Sequence, residues 1–167
     1  MPKIIANVKE QIIEETKKQI EKYGYENITI RSIAKECGIA VGTVYNYFQS
    51  KDMIIATFVL QDWLLCIDSI SRQPKENRRR FLAFIHMSLV QFAKKHKLIF
   101  ENKEATKAFN SSFHERHKQL RSQLADLINN ITGDRFTAEF VAEALLCWTM
   151  AGKSFNQIYE LLPENIK

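Results

Sequence analysis

Between residues 29 and 48 the chain reads Thr29-Ile-Arg-Ser-Ile-Ala-Lys-Glu-Cys-Gly38-Ile-Ala-Val-Gly42-Thr-Val-Tyr-Asn-Tyr-Phe48. The spacing is that of two short helices meeting at a tight turn, a helix-turn-helix of the kind that lays its second helix in a DNA major groove. Ala34 falls where the two helices approach most closely, and a larger side chain would push them apart. Gly38, four residues on, stands where the first helix must stop and the backbone turns to positive φ. Ile33, Cys37, Ile39, Val44 and Tyr47 supply the apolar positions that let so small a unit pack.

Outward from this motif the pattern stays helical. Ile5, Val8, Ile12, Thr16, Ile20 and Tyr23 repeat at helical spacing and define a first amphipathic helix that ends at Gly24. Thr29 caps the second helix, and Ala40–Phe48 is the third. Ser50 caps a fourth, with Asp52 in its first turn where a carboxylate suits the helix dipole. That helix runs to about Arg72 and is apolar on more than one side, as expected of a helix joining two domains. Gln73-Pro74-Lys75-Glu76-Asn77 is the clearest break. A fifth helix follows through Phe81, Ile85, Leu89 and Phe92, and a short sixth near Leu98–Lys107. A seventh runs through Phe113, His117, Leu120, Leu124, Leu127 and Ile131, ending before Gly133. The last starts after Thr137 and continues to about Leu162. The expected fold is all-α, with about eight helices: a DNA-binding domain over 1–50 and a second helical domain over 51–167.

Composition agrees. Five Gly and three Pro in 167 residues leave long helices uninterrupted. No apolar run approaches the ~20 residues of a membrane span, because Gln61, Asp62 and Asp68 break the Met53–Ile70 stretch. The first residues lack the apolar region of a signal peptide, and the three scattered cysteines read as reduced core thiols, so a cytoplasmic protein with no membrane partner is expected. The net charge of +5 is uneven: residues 1–52 hold 8 basic and 7 acidic side chains, residues 53–100 hold 8 and 3, and residues 101–167 hold 8 and 9. The DNA-reading segment is therefore nearly neutral, and its affinity for phosphate depends on Arg31, Lys35 and Lys51 sharing one face. The basic cluster at 72–80 reads as a solvated helix end. No nucleophile–base motif and no Gly-rich phosphate loop is present, so no enzyme is expected. His114 and His117 lack a third ligand at helical spacing, so neither metal nor cofactor is expected.

The pattern Gly24-Tyr25, Thr29-Ile30, Ile33-Ala34, Gly38-Ile39, Gly42-Thr43-Val44-Tyr45, Phe48, Ser50-Lys51-Asp52 resembles the TetR family of bacterial transcriptional regulators. The resemblance implies an all-helical homodimer, with a three-helix head and a larger domain that binds a small-molecule effector and dimerises. It implies a ligand-responsive repressor of a palindromic operator. Thr29 and Arg31, at the start of the second helix, suit a backbone phosphate. Gly42 allows close approach to the groove wall, while Thr43 and Tyr45 offer hydroxyls to phosphate or base edges. Tyr45 can also pack on a thymine methyl, and Asn46 suits adenine. Tyr47 offers a hydroxyl to phosphate while its ring helps close the core, and Lys51 is a phosphate ligand at the fourth helix.

Two departures from the family stand out. Ala40-Val41 replaces a Ser cap and a polar or basic residue, which costs on the order of 1 kcal/mol of capping and moves Val41 toward apolar base contact. The C-terminal half is short by about one helix, which puts the dimer interface on the last helix, through Ala144, Ala151, Gly152, Phe155 and Tyr159. The aromatic-rich second half yields candidate pocket residues Trp63, Phe84, Met87, Phe113, His117 and Trp148. The alternatives are an architectural DNA-binding protein without sequence preference, or a small helical enzyme that merely contains the motif.

Overall fold

The structure, a computed structural model, describes the backbone of residues 7–112 and 114–166 and the side chains of residues 7–107, 118–164 and 166. Among the described residues it is all-α, with ten helices: α1 Val8–Tyr23, α2 Ile30–Glu36, α3 Val41–Tyr47, α4 Lys51–Ser71, α5 Arg78–Lys95, α6 Lys97–Phe100, α7 Lys103–Ser112, α8 His114–Thr132, α9 Arg135–Met150 and α10 Phe155–Glu160. Short 3-10 turns cover Tyr25–Asn27 and Glu164–Ile166. Ile5, expected in the first helix, lies outside the described residues.

Two compact units share the chain. The first takes Met1–Gln61 and Lys97–Ser112, the second Asp62–His96 and Phe113–Lys167. In the first, α1 buries Ile12, Ile13, Thr16 and Ile20 along one stripe. Thr16 hides its hydroxyl by donating to the Ile12 carbonyl at 2.7 Å. Ile33, Ala34, Val44, Phe48, Ile54 and Phe58 complete this core, and α6 and α7 add Ile99 and Ala105. Each fully buried aliphatic side chain contributes roughly 1.5–3 kcal/mol of hydrophobic stabilisation. The second unit is built on long helices, with α9 packed against α8 and α5. Its core takes Phe81, Ile85 and Leu89 from α5, Leu124 and Ile128 from α8, and Val141 and Leu145 from α9.

The count of ten corrects the expected eight in two places. The expected sixth helix is two, α6 and α7, and Asn102 caps the second by accepting the Ala105 amide at 2.9 Å. The expected final helix is also two. α9 ends in a Schellman turn, in which Gly152 lies at φ +78°, its amide bonds to the Thr149 carbonyl and the Lys153 amide to the Trp148 carbonyl, both at 2.9 Å. Ser154 then caps α10 in a capping box with Gln157. Gly152 is there for its backbone, and neither it nor Ala151 continues a helix face.

α4 is long and apolar, with a mean hydropathy of 1.6 over its best 18 residues, enough by length and composition to cross a membrane. Within that span it carries polar anchors to neighbouring helices. The Asp62 carboxylate lies 2.8 Å from Lys95 Nζ and 3.1 Å from the buried His96 Nε2. Trp63 is buried and donates its indole N–H to Gln123 Oε1 at 3.1 Å.

Candidate nucleic-acid interface

The helix-turn-helix is fixed by chemistry at the helix ends. Thr29 and Ser32 form a capping box at the start of α2, each side chain accepting the other's amide at 3.0 Å. The Ser32 hydroxyl also donates to the buried Gln19 of α1 at 2.7 Å, and Gln19 in turn donates to Glu15 at 2.9 Å. α2 stops in a Schellman turn. Gly38 sits at φ +65°, its amide bonds to the Lys35 carbonyl at 3.1 Å, and the Ile39 amide reaches the Ala34 carbonyl at 3.0 Å. Ala34 is buried between the helices.

α3 begins at Val41, and its N-cap residue Ala40 gives no side-chain cap. Val44 is buried and fixes the inward face. Gly42, Tyr45, Asn46 and Tyr47 are exposed, with Tyr45 54% and Tyr47 49% accessible. A Cβ at Gly42 would meet nothing within 4 Å, and its φ is not positive. The fold therefore does not require glycine there, where it costs roughly 0.5–1 kcal/mol against alanine. Thr43 is half-buried, and Thr29 and Arg31 are exposed at the head of α2. Two positions differ from their sequence reading. Tyr47 does not close the core, because the backbone turns it outward and the neighbouring Phe48 fills that place. Val41 packs part of its side chain against the head core, which reduces what it can present outward.

Lys51 differs most. Its ammonium donates to the Tyr25 carbonyl at 2.9 Å and the Ile28 carbonyl at 3.4 Å. It also lies 4.1 Å from the centre of the Tyr25 ring. The same tyrosine donates its hydroxyl to Asp52 Oδ1 at 2.6 Å. Burial and that carboxylate push the Tyr25 phenol well above its ordinary range. Sequence reasoning missed this cluster, since nothing in a Lys-Asp pair says that its partner is a tyrosine 26 residues earlier.

Among the described residues of the second unit, the candidate pocket residues differ in exposure. Trp63 is core, edge-on to Phe92 at 5.4 Å, and Phe84 is half-buried. Met87 and Trp148 are exposed. Phe113 and His117 lie outside the residues whose side chains are described. Of the expected interface residues, Ala144 is half-buried on α9, Ala151 and Gly152 lie in the turn, and Phe155 is half-buried. Tyr159 is buried against Phe155 at 5.3 Å and the Arg79 guanidinium at 5.0 Å. The apolar residues that α9 does expose are Phe136, Phe140, Trp148 and Met150. The first three recur every four residues or a multiple of four, a stripe along the helix.

Residues 12–57 match the model of the bacterial regulatory proteins of the tetR family. Over this segment the chain is similar to the TetR family. The match runs from within α1 to the first part of α4 and includes the whole helix-turn-helix. A Bacillus subtilis relative, the uncharacterized HTH-type transcriptional regulator YuxN, is 27% identical over 161 residues; the alignment covers 89% of this chain and 52% of YuxN. The chain thus spans about half the length of this curated relative. Among solved structures, the TetR-family repressor AlkX of Dietzia superposes with a TM-score of 0.66 at 14% identity, covering 97% of this chain and 98% of AlkX. The Bacillus subtilis regulator FadR, solved in complex with stearoyl-CoA, superposes with a TM-score of 0.58 at 22% identity, covering 95% and 99%. At these identities the two structures show a shared fold alone.

Proposed function

We propose that this chain is a DNA-binding transcriptional regulator, acting in the cytoplasm as a ligand-responsive repressor on a palindromic operator. The observation that carries the reading is the outward face of α3. Gly42, Tyr45 and Asn46 stand exposed beside a buried Val44, and the glycine has no role in the fold. A helix that accepts the cost of an exposed glycine fits one that must approach another surface closely. Tyr45 and Asn46 read base edges in the major groove, while Thr43 and Tyr47 contact groove edge or phosphate. Thr29 and Arg31, at the capped start of α2, hold the flanking backbone.

The active species is a homodimer. The exposed Phe136, Phe140 and Trp148 of α9, with the smaller Ala144 between them, offer an apolar stripe to the same stripe of a second copy. Two heads then enter successive major grooves about 34 Å apart. A small molecule with an apolar chain bound by the second unit would release the operator through its different affinity for the two states. Stearoyl-CoA, the ligand of the FadR structure, is the first compound to try.

The test is selection from random duplex DNA followed by a mobility-shift titration. A two-fold-symmetric site should emerge, and Tyr45→Ala should abolish its binding while the dimer sediments unchanged. Recovery of no consensus, or an unaltered footprint for Tyr45→Ala, would overturn the assignment of α3.

A further inference from the structure

We infer that Lys51, Tyr25 and Asp52 form a latch that closes the helix-turn-helix at its entry and exit, and that Lys51 serves DNA binding by positioning α2 and α3 rather than by touching phosphate. The inference rests on the DNA-binding reading above and adds a residue role to it.

The reading unit runs from the Thr29 cap to Tyr47. Residues 25–28 lead directly into that cap, and residues 50–52 follow α3 after Phe48 and Gln49. These two flanks are what the three side chains join. Lys51 reaches back from the exit to the Tyr25 and Ile28 carbonyls at 2.9 and 3.4 Å. Tyr25 reaches forward from the entry to Asp52 at 2.6 Å. The Ile28 carbonyl belongs to the residue immediately before the α2 cap, so the tie acts at the point where α2 is aimed.

An ammonium has three N–H donors and no acceptor. Here it serves two carbonyls and lies 4.1 Å from the centre of an aromatic ring. Tyr25 is buried and Lys51 half-buried, so these contacts are shielded on one side from competing water. A phosphate contact through Lys51 would compete with both carbonyls and the ring, and a partly buried carbonyl left unbonded is costly. Arg31 and Lys35 are exposed and meet no such obstacle. Counterion release from the DNA then comes from those side chains and not from Lys51.

The experiment compares wild type, Lys51→Met, Tyr25→Phe and Arg31→Ala. Its probe is the duplex recovered by selection with the wild-type protein, titrated across a salt series. Lys51→Met should weaken operator binding by about tenfold, the loss expected of a charged hydrogen-bonding group. Its log affinity against log salt should keep the wild-type slope, and its preference for operator over random DNA should fall. Arg31→Ala should instead make the slope shallower by about one, as loss of a phosphate contact does. A Lys51→Met slope shallower by about one, with the operator preference intact, would overturn the latch and restore Lys51 as a phosphate ligand.

Amide hydrogen exchange supplies a readout independent of DNA. Lys51→Met and Tyr25→Phe should both speed exchange over residues 30–47 while leaving α8 and α9 unchanged. Unchanged exchange over 30–47 in both variants would also overturn the proposal. Failure of the wild-type protein to select any DNA sequence would sink the function and leave the latch to be decided by exchange alone.

Discussion

In the first unit, α2 and α3 are seven residues each, below the length at which a helix persists alone in water. They are held by chemistry at their ends: a capping box, a Schellman turn, and the Lys51–Tyr25–Asp52 tie across their flanks. In the second unit, α5, α8 and α9 run to 18, 19 and 16 residues. Their caps decide where they stop, but apolar faces decide what they touch. The tie between Trp63 and Gln123 spans 60 positions and that between Lys95 and Asp62 spans 33. The turn at Gly38, by contrast, is complete within six residues. A region held by end chemistry announces itself locally, whereas one held by long faces does not.

The contrast can be broken by attacking each region where it is strongest. Phe81 is 1% exposed, and Phe81→Ala should cost about 3–5 kcal/mol. Trp63 and Trp148 both belong to the second unit, so tryptophan fluorescence in a urea titration reports it directly. A loss below about 1 kcal/mol would mean that this core collapses to fill the gap and is not held by its packing.

The two glycines of the reading unit sharpen the contrast. Gly38→Ala places a Cβ at φ +65° and should cost about 1–2 kcal/mol. Gly42→Ala should raise stability by about 0.5–1 kcal/mol and yet weaken operator binding, because the new methyl stands on the outward face. Thermal melts beside mobility shifts check both variants. A Gly42→Ala protein that is more stable and binds equally well would remove the functional reason for that glycine.

The smallest expected effect is the pH dependence of the latch. Tyr25 carries a raised pKa in the folded chain, so its proton is held more tightly folded than unfolded. Its contribution is full below the ordinary tyrosine value near 10 and declines as pH rises above it. Urea midpoints measured from pH 8 to beyond that value should fall more steeply for wild type than for Tyr25→Phe, so the two curves converge. Parallel curves would mean that the phenol titrates alike in both states.

Much of the first unit was legible because its signals are short. Gly38 was read as a left-handed helix stop and is one, and Ala34 was read as a close-approach position and is buried there. Ser50 was read as an N-cap and accepts the Met53 amide at 3.2 Å. The proposed readers on α3 were legible as residue types, and the structure adds which of them face outward. Gly152 carried the same stop signal as Gly38, with Ser154 and Gln157 spelling a capping box just beyond. It was read as a small residue for packing, since apolar positions continue at helical spacing across the break. Two helices that happen to stay in phase cannot be told from one by periodicity alone.

The sequence by itself determined what depends on neighbours within a turn or two: an all-helical chain, the helix-turn-helix, its caps and its glycine stop. Those follow from backbone dihedrals and hydrogen bonds that a few adjacent residues dictate. Only the tertiary structure decided where an ambivalent side chain would point. Lys51 could have faced solvent, and Tyr47 could have closed the core. Trp148 could have faced inward. Each choice turned on which carbonyl, carboxylate or apolar gap the rest of the chain brought within reach. A side chain with both a polar end and an apolar stem settles where the fold offers partners to each.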